Sequence, residues 1–358
     1  MSHFILGIDA AWTAHHAAGV ALVQMSARRQ PQLLHVARSY AEFCQLAAGD
    51  KIDWAARVRG SSPELPALLA ACQKICGVLP SVVALDIPLG AQPINGRRTA
   101  DRLVTKNYIT RKAGTHSPTA QRPGPISLQL FEQLTRSGFE WQHAEVPSQQ
   151  KKNARVFIEV YPHPAIIELL GLPERLKYKA SKVQKYWPEL DRVQRRLAVV
   201  KNLNRLRSAL NKQIAGVAQK LPTAQSLQRA SQLKGYEDAL DAVVCAWIGC
   251  EFLARRCVAY GDVNSAIWLP KPAGLNKAGF ARIKKHLQVT PPEFLIGVKQ
   301  FLCAKIYAIF KSKSSPVSNV RDSWHGVNKW REKKSSALST RHIGENHCRV
   351  LAIRTRVF

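Results

Sequence analysis

Phe4-Ile5-Leu6-Gly7-Ile8-Asp9-Ala10-Ala11-Trp12 is an apolar run carrying one carboxylate near its end. An apolar run without polar alternation reads as a strand buried on both faces. A lone ionised Asp there costs several kcal/mol unless a cation, a metal or hydrogen-bond donors accompany it, so Asp9 is either paired or functional. The pattern recurs at Ser81-Val82-Val83-Ala84-Leu85-Asp86, stopped by Ile87-Pro88-Leu89-Gly90, and at Arg155-Val156-Phe157-Ile158-Glu159-Val160-Tyr161-Pro162. In the third run Arg155 lies four residues before Glu159, on the same strand face. An Arg155–Glu159 ion pair therefore competes with a site role for Glu159.

The strand pattern extends on both sides of the first run. Gly19–Met25 and Leu33–Tyr40 read as two further strands with a short polar turn between them, which together with the first predict an antiparallel meander. A helix is expected over Pro63–Cys76, with Leu65, Leu68, Leu69, Cys72 and Ile75 or Cys76 on one face, and a shorter one over Ile126–Ser137. Gly96–Lys112 carries Arg97, Arg98, Arg102, Lys106, Arg111 and Lys112 against Asp101 alone. It reads either as a phosphate-gripping flap, with Arg97, Arg98, Arg102 and Lys106 binding substrate, or as a solvated amphipathic helix. From Pro188 to Lys220 apolar residues recur at steps of three or four, which predicts one long amphipathic helix or two.

Tyr236-Glu237-Asp238-Ala239-Leu240-Asp241-Ala242 opens an almost wholly apolar stretch that runs to Leu253. Asp238 and Asp241 are three apart and so neighbours on one helix face, while Ala239 and Ala242 leave room for close approach to a sheet. Acids in a first helical turn also serve as caps, which accounts for Glu237 or Asp238 but poorly for Asp241. The globular region is expected to close with Ser265–Pro270.

With 358 residues, 46% of them hydrophobic, the chain can bury a sizeable core. Its 53 Lys and Arg against 24 Asp and Glu give a formal charge of +29, which favours a polyanionic partner, nucleic acid before a membrane surface. A soluble protein with a basic surface is the plainer alternative. About half of that charge falls in residues 271–358, expected to be a loosely ordered basic extension with a short helix around Pro292–Phe310. The eight cysteines show no Cys-x-x-Cys pair, so reduced, mostly buried thiols are expected. Cys72 and Cys76 read as core packing before metal binding. No signal peptide and no apolar run of membrane-spanning length is visible, so a cytoplasmic protein is expected.

Three strands each present a carboxylate at or near the C-terminal end, and a helix adds a pair. Ligand sites of α/β sheets lie at such strand ends. Clustered carboxylates repel one another unless cations intervene, and hard oxygen ligands suit Mg²⁺ or Mn²⁺; two such ions can activate a water and stabilise a leaving oxygen in phosphodiester hydrolysis.

Gly7-Ile8-Asp9-Ala10-Ala11, Asp86-Ile87-Pro88-Leu89-Gly90 followed by Gly96-Arg97-Arg98 and Asp101-Arg102, Ile158-Glu159-Val160-Tyr161-Pro162 and Tyr236–Ala242 together resemble the domain of unknown function 429 family, in order and spacing over about residues 4–270. That family is regarded as ribonuclease H-like and as a predicted nuclease, distantly similar to Holliday-junction resolvases. The resemblance implies an α/β fold with a ribonuclease H-like mixed sheet flanked by helices over residues 1–270, a helical insertion over about 164–234, and a C-terminal extension over 271–358 that is either a functional tail or an aberrant addition. It implies Asp9, Asp86, Asp238 and Asp241 as catalytic metal ligands for two Mg²⁺ or Mn²⁺ ions, with Glu159 as an auxiliary acid.

The resulting expectation is a metal-dependent nuclease acting on DNA or RNA. Two alternatives stand beside it: a nucleic-acid-binding protein on the same fold without catalysis, and an actin- or sugar-kinase-type phosphotransferase. Against the last, Trp12 stands where a tight phosphate-binding turn wants a small residue, and no P-loop occurs. His116 and His163 are candidate proton donors, though a lone loop histidine is more often structural or exposed.

Overall fold

The computed structural model of the chain describes residues 2–13, 15–145 and 154–272. The basic extension and its expected helix lie outside the described residues. The chain opens with the expected meander, β1 (Ser2–Asp9), β2 (Gly19–Ser26) and β3 (Arg29–Ala37), paired antiparallel in sequence order. Helix α1 (Tyr40–Ala48) follows, its N-terminus capped by the Ser39 side chain, which accepts from the Glu42 N–H. Residues 38–40 thus turn into a helix rather than extend the third strand.

Helix α2 (Leu65–Cys76) buries Leu65, Leu68, Leu69 and Cys72, and ends at Gly77 in the left-handed conformation that glycine adopts without steric cost. Next come β4 (Val82–Leu85), α3 (Thr99–Tyr108), α4 (Pro125–Arg136), the two-residue β5 (Glu140–Trp141) and β6 (Val156–Val160). The helices α5 (Pro162–Leu170), α6 (Val183–Tyr186), α7 (Arg192–Gln213) and α8 (Val217–Lys220) lie between β6 and the next long helix. They lead into α9 (Ala230–Leu253), and the described region closes with the antiparallel pair β7 (Cys257–Gly261) and β8 (Ala266–Pro270). Among the described residues no helix is long and apolar enough to cross a membrane.

The strands form one mixed sheet in the order β3-β2-β1-β4-β6-β8-β7, with β5 paired to β6 off this path. Three antiparallel strands are followed by β4, β6 and β8 running parallel to β1, an arrangement consistent with a ribonuclease H-like sheet. Strand alternation divides the core in two. Ile5, Val82, Ala84 and Ile158 face the layer that contains α9, whereas Leu6, Ile8, Val83, Leu85 and Phe157 face α1, α2 and α4. Cys72 packs in the second layer with Cys76 partly buried beside it, in keeping with a packing role for both.

Glycines set how closely α9 lies on the sheet. A Cβ on Gly7 would fall 2.3 Å from the Ala242 carbonyl oxygen and 2.4 Å from the Ala246 nitrogen, and one on Gly19 would fall 1.9 Å from the Asp238 carbonyl oxygen. Helix backbone thus rests directly on β1 and β2. The small residues Ala242 and Ala246 meet the bare strand, which is the close approach expected from the alanines of this helix.

Candidate active site

Strands β1 and β4 are in parallel register from Ile5↔Val82 to Ile8↔Leu85, so Asp9 and Asp86 are the next pair along. The Asp86 N–H donates to the Ile8 carbonyl at 2.9 Å, carrying the pairing to the strand ends. Continued alternation puts Asp9 on the face of Ile5 and Gly7, and Asp86 on that of Val82 and Ala84. This is the face on which α9 lies. The charges of Asp9, Asp86 and Asp241 all reach the buried Cys245 thiol of that helix, where burial first and then these three acids push its pKa well up.

Asp9 and Asp86 share one electrostatic character. Burial, then the Asp241 carboxylate, holds Asp9 well above the usual carboxylate range against the opposing pull of Lys179. Burial, then Asp9 and Asp241, does the same for Asp86. Both carboxylates are partly buried, and among the described residues none donates a hydrogen bond to either. Each pKa is therefore raised by burial first and then by neighbouring acids, with no hydrogen bond from a described residue to offset it.

The acids of α9 have partners. Asp241 is fully buried; its Oδ1 accepts from the Tyr178 hydroxyl at 2.6 Å and its Oδ2 from Lys179 Nζ at 2.5 Å. The same ammonium lies 3.1 Å from Glu237 Oε1, and Glu237 Oε2 accepts from the Ala180 N–H at 2.6 Å. Asp238 pairs with Lys234 one turn earlier; burial pushes it up to about 7 against that pull. Burial alone would lower Lys179, but Asp241, Tyr178, Glu237 and Asp9 overcome it and hold the lysine well above its ordinary range. Helix α9 begins at Ala230, so Glu237 and Asp238 lie about two turns inside it. First-turn capping therefore does not explain them.

Glu159 is brought to the same end of the sheet but to its other face. It pairs in register with Leu85 rather than with Asp86, and so points with Leu85 and Phe157. Its partner is Arg98, which reaches both carboxylate oxygens at 2.6 Å and also holds Asp101. The Leu89 N–H completes the site at 2.8 Å. Arg155 instead lies over the Phe139 ring, because four residues of strand span about 13 Å, too far for the ion pair the spacing suggested. Burial pushes Glu159 up to about 7, with Arg98 opposing.

The basic run after Asp86 forms α3 and its N-terminal flank. Arg98 is consumed in the Glu159–Asp101 network. Arg97 donates to the Asp101 carbonyl and to Thr105 Oγ1, Arg102 donates to the Arg97 carbonyl and to Thr99 Oγ1, and Lys106 is exposed. A cleft at this end of the sheet is lined by Trp12, Asp86, Arg98, His116, Glu159 and Tyr161, among others. His163 is buried, with Nε2 2.8 Å from Arg175 Nη2; burial first and then Arg175 hold its pKa well below the ordinary range, which makes it a neutral acceptor.

Sequence reasoning missed Tyr178 and Lys179. They belong to Arg175-Leu176-Lys177-Tyr178-Lys179, where cations alternate with an apolar and an aromatic residue. That alternation was the available signal. Leu176 and Tyr178 are buried, Lys177 turns away to the Tyr186 carbonyl, and Lys179 is directed at Asp241 and Glu237.

The donor chemistry suits a hard divalent cation at Asp9 and Asp86, two carboxylates on adjacent strand ends to which no described residue donates a hydrogen bond. Both Asp241 oxygens are engaged by Tyr178 and Lys179, and among the described residues no three acid, His or Cys side chains converge as a ready metal site. Asp9 and Asp86 are the residues that would hold such an ion, with Asp241 a further candidate once freed from Lys179.

The chain matches the model of the family described as "Protein of unknown function (DUF429)" over residues 7–264, and it belongs to that family. No curated protein and no solved structure matches it.

Proposed function

We propose that the chain is a metal-dependent nuclease that hydrolyses phosphodiester bonds of DNA or RNA and that it belongs to the ribonuclease H-like superfamily, a reading its mixed sheet supports. One observation carries this reading: Asp9 and Asp86, at neighbouring strand ends, are both held well above the ordinary carboxylate range, by burial first and then by neighbouring acids, and receive no hydrogen bond from any described residue. Such a pair is costly unless a cation joins it. Mg²⁺ or Mn²⁺ bound there supplies Lewis-acid polarisation of a phosphate oxygen and a more acidic bound water. Asp9 and Asp86 would hold the ion, and Asp241 would orient from α9. Lys179 places a fixed positive charge beside the reacting phosphate, where it offsets developing negative charge. A second ion finds few free donors, since Asp238, Glu237 and Glu159 are bound to Lys234, Lys179 and Arg98. The test is incubation of labelled single-stranded, duplex and branched substrates with Mg²⁺ or Mn²⁺. Asp9→Asn and Asp241→Asn should each abolish cleavage while the protein stays folded; cleavage that survives both substitutions overturns the reading.

The Lys179 ammonium between Asp241 and Glu237 also favours a second reading, a nucleic-acid-binding protein that does not cleave, because a built-in cation already neutralises the helix acids. That reading expects strongly salt-dependent binding with no products in the same assay.

A further inference from the structure

Beside the carboxylate pair lies a concentration of positive charge that the acids do not use up. The Tyr161 hydroxyl donates to the Gly114 carbonyl at 3.1 Å, tying the loop that carries His116 to the start of α5. The His163 ring packs edge-on against Tyr161 at 5.6 Å and against Tyr178 at 5.7 Å. Arg175 Nη2 bonds His163 Nε2 and, at 3.3 Å, the Tyr186 hydroxyl. Lys182 closes the 3-10 turn Ala180–Lys182, its N–H donating to the Lys179 carbonyl at 3.0 Å. A loop, a helix start and the 175–182 segment thus converge to gather His116, Arg175 and Lys182 next to Lys179.

Of these, Lys179 is the one seated on carboxylates. Arg175 is held by a neutral histidine and a phenol, which orient its guanidinium without cancelling its charge. Its Nε–H is buried and has no partner among the described residues. A buried donor left unmet costs about 1–3 kcal/mol, so the position calls for an acceptor oxygen. The mutual effect of the cations agrees: burial first, then Lys182, Arg175, Arg122 and Lys179, lowers His116, and burial followed by Arg175 and Lys179 lowers Lys182. His116 also lines the cleft that Asp86 lines. Like charges crowded around an unmet donor are relieved by an anion with several oxygens, and a guanidinium beside an ammonium suits phosphate.

We infer that His116, Arg175 and Lys182 form a phosphate-binding subsite beside the Asp9–Asp86 pair, which grips a phosphate of the substrate strand adjacent to the one being cleaved. That the phosphate belongs to a nucleic-acid strand rests on the nuclease reading; phosphate binding itself does not. The test uses the full chain in metal-free, EDTA-containing buffer. Two probes are compared: a fluorescein-labelled 12-nucleotide single strand without terminal phosphates, followed by anisotropy across a salt series, and inorganic phosphate, followed by its effect on Tm at constant ionic strength. Lys182→Met, at a partly exposed position, is the variant least disturbing to the fold, and Arg175→Met is the stronger one. Each should weaken oligonucleotide binding about tenfold and lower the slope of log K against log salt by about 0.7, and the Tm increase with phosphate should shrink. Oligonucleotide affinity, salt slope and phosphate response all unchanged in folded Lys182→Met and Arg175→Met overturn the subsite. Loss of the phosphate response alone, with oligonucleotide binding intact, overturns the strand assignment and leaves a site for free phosphate or a small phosphate ester. Loss of oligonucleotide binding in a protein that never cleaves supports the subsite and defeats the nuclease reading separately.

Discussion

Replacing Lys179 by Met probes the centre most directly, because this one ammonium bonds Asp241 at 2.5 Å and Glu237 at 3.1 Å. The lysine side chain is 19% exposed, while the two acids are 0% and 1% exposed. Breaking a buried pair from one side typically costs about 3–5 kcal/mol, since it strands the other charge. The lower end applies here. Glu237 keeps the Ala180 N–H and Lys234 at 3.3 Å, and Asp241 keeps the Tyr178 hydroxyl and can take up a proton. A loss of about 3 kcal/mol lowers Tm by roughly 6–12 °C in a domain of this size. The variant also frees an Asp241 oxygen next to Asp9 and Asp86, so Mn²⁺ should bind it more tightly than the parent; at a hundred times its Kd the ion returns about 2.7 kcal/mol. The assay is thermal unfolding of both proteins in EDTA and across a Mn²⁺ titration. A loss below about 1 kcal/mol, or the same Mn²⁺ response in parent and variant, would refute the view that Lys179 holds the place of a metal at these acids.

Raised carboxylates give a definite pH dependence. Asp238, pushed up to about 7, binds more protons folded than unfolded between its ordinary value of 3.8 and that point. Its contribution is therefore complete below about 4 and lost as pH rises through about 7. Metal-free protein should melt higher at pH 5 than at pH 8, and Asp238→Asn should flatten that slope; an unchanged slope excludes Asp238 as its source. Mn²⁺ affinity should rise with pH, because the ion displaces protons held by Asp9 and Asp86, whose pKa values are raised. Arg98→Met strands two buried acids and should cost about 3–5 kcal/mol in chemical denaturation, whereas Lys106→Ala, at an exposed position, should leave stability within about 0.5 kcal/mol. Equal effects from the two would mean that Arg98 is not structural. Gly7→Ala should cost at least about 1–3 kcal/mol, since its Cβ would meet helix backbone at 2.3 Å and 2.4 Å and α9 must lift off the sheet. Because Asp241 rides on that helix, Mn²⁺ affinity should fall with stability, and an unchanged affinity in a destabilised Gly7→Ala protein would be inconsistent with that coupling.

Much of this architecture was legible because apolar periodicity survives in the sequence. The meander, α2, α4 and the amphipathic α7 lie close to where their patterns put them, and the embedded acids of β1, β4 and α9 marked the centre. The start of α9 was not legible. Ala230-Ser231-Gln232-Leu233-Lys234-Gly235 carries a Ser and a Gly of weak helix propensity and no apolar stripe, so the pattern begins only at Tyr236. Those six residues decide the chemistry of Asp238, since they contain Lys234, the cation that neutralises it. The segment supplying Lys179 has no helical period either, and its role follows from where Leu176 and Tyr178 bury themselves.

The deeper limit is register. Three strands each carry one acid toward the C-terminal end, and in sequence the three are equivalent. Asp9 and Asp86 share a level, but Glu159 pairs with Leu85, one residue earlier. A step of one residue turns a side chain to the opposite face of a sheet. Glu159 therefore meets Arg98 and the Leu89 N–H on one side, fully satisfied, while Asp9 and Asp86 meet α9 on the other with no donor among the described residues. The difference between a structural acid and a candidate metal ligand is one residue of strand offset. No local pattern encodes that offset, which follows from the parallel pairing of β4 with β6, while Gly7 and Gly19 let α9 close over the face that Asp9 and Asp86 share.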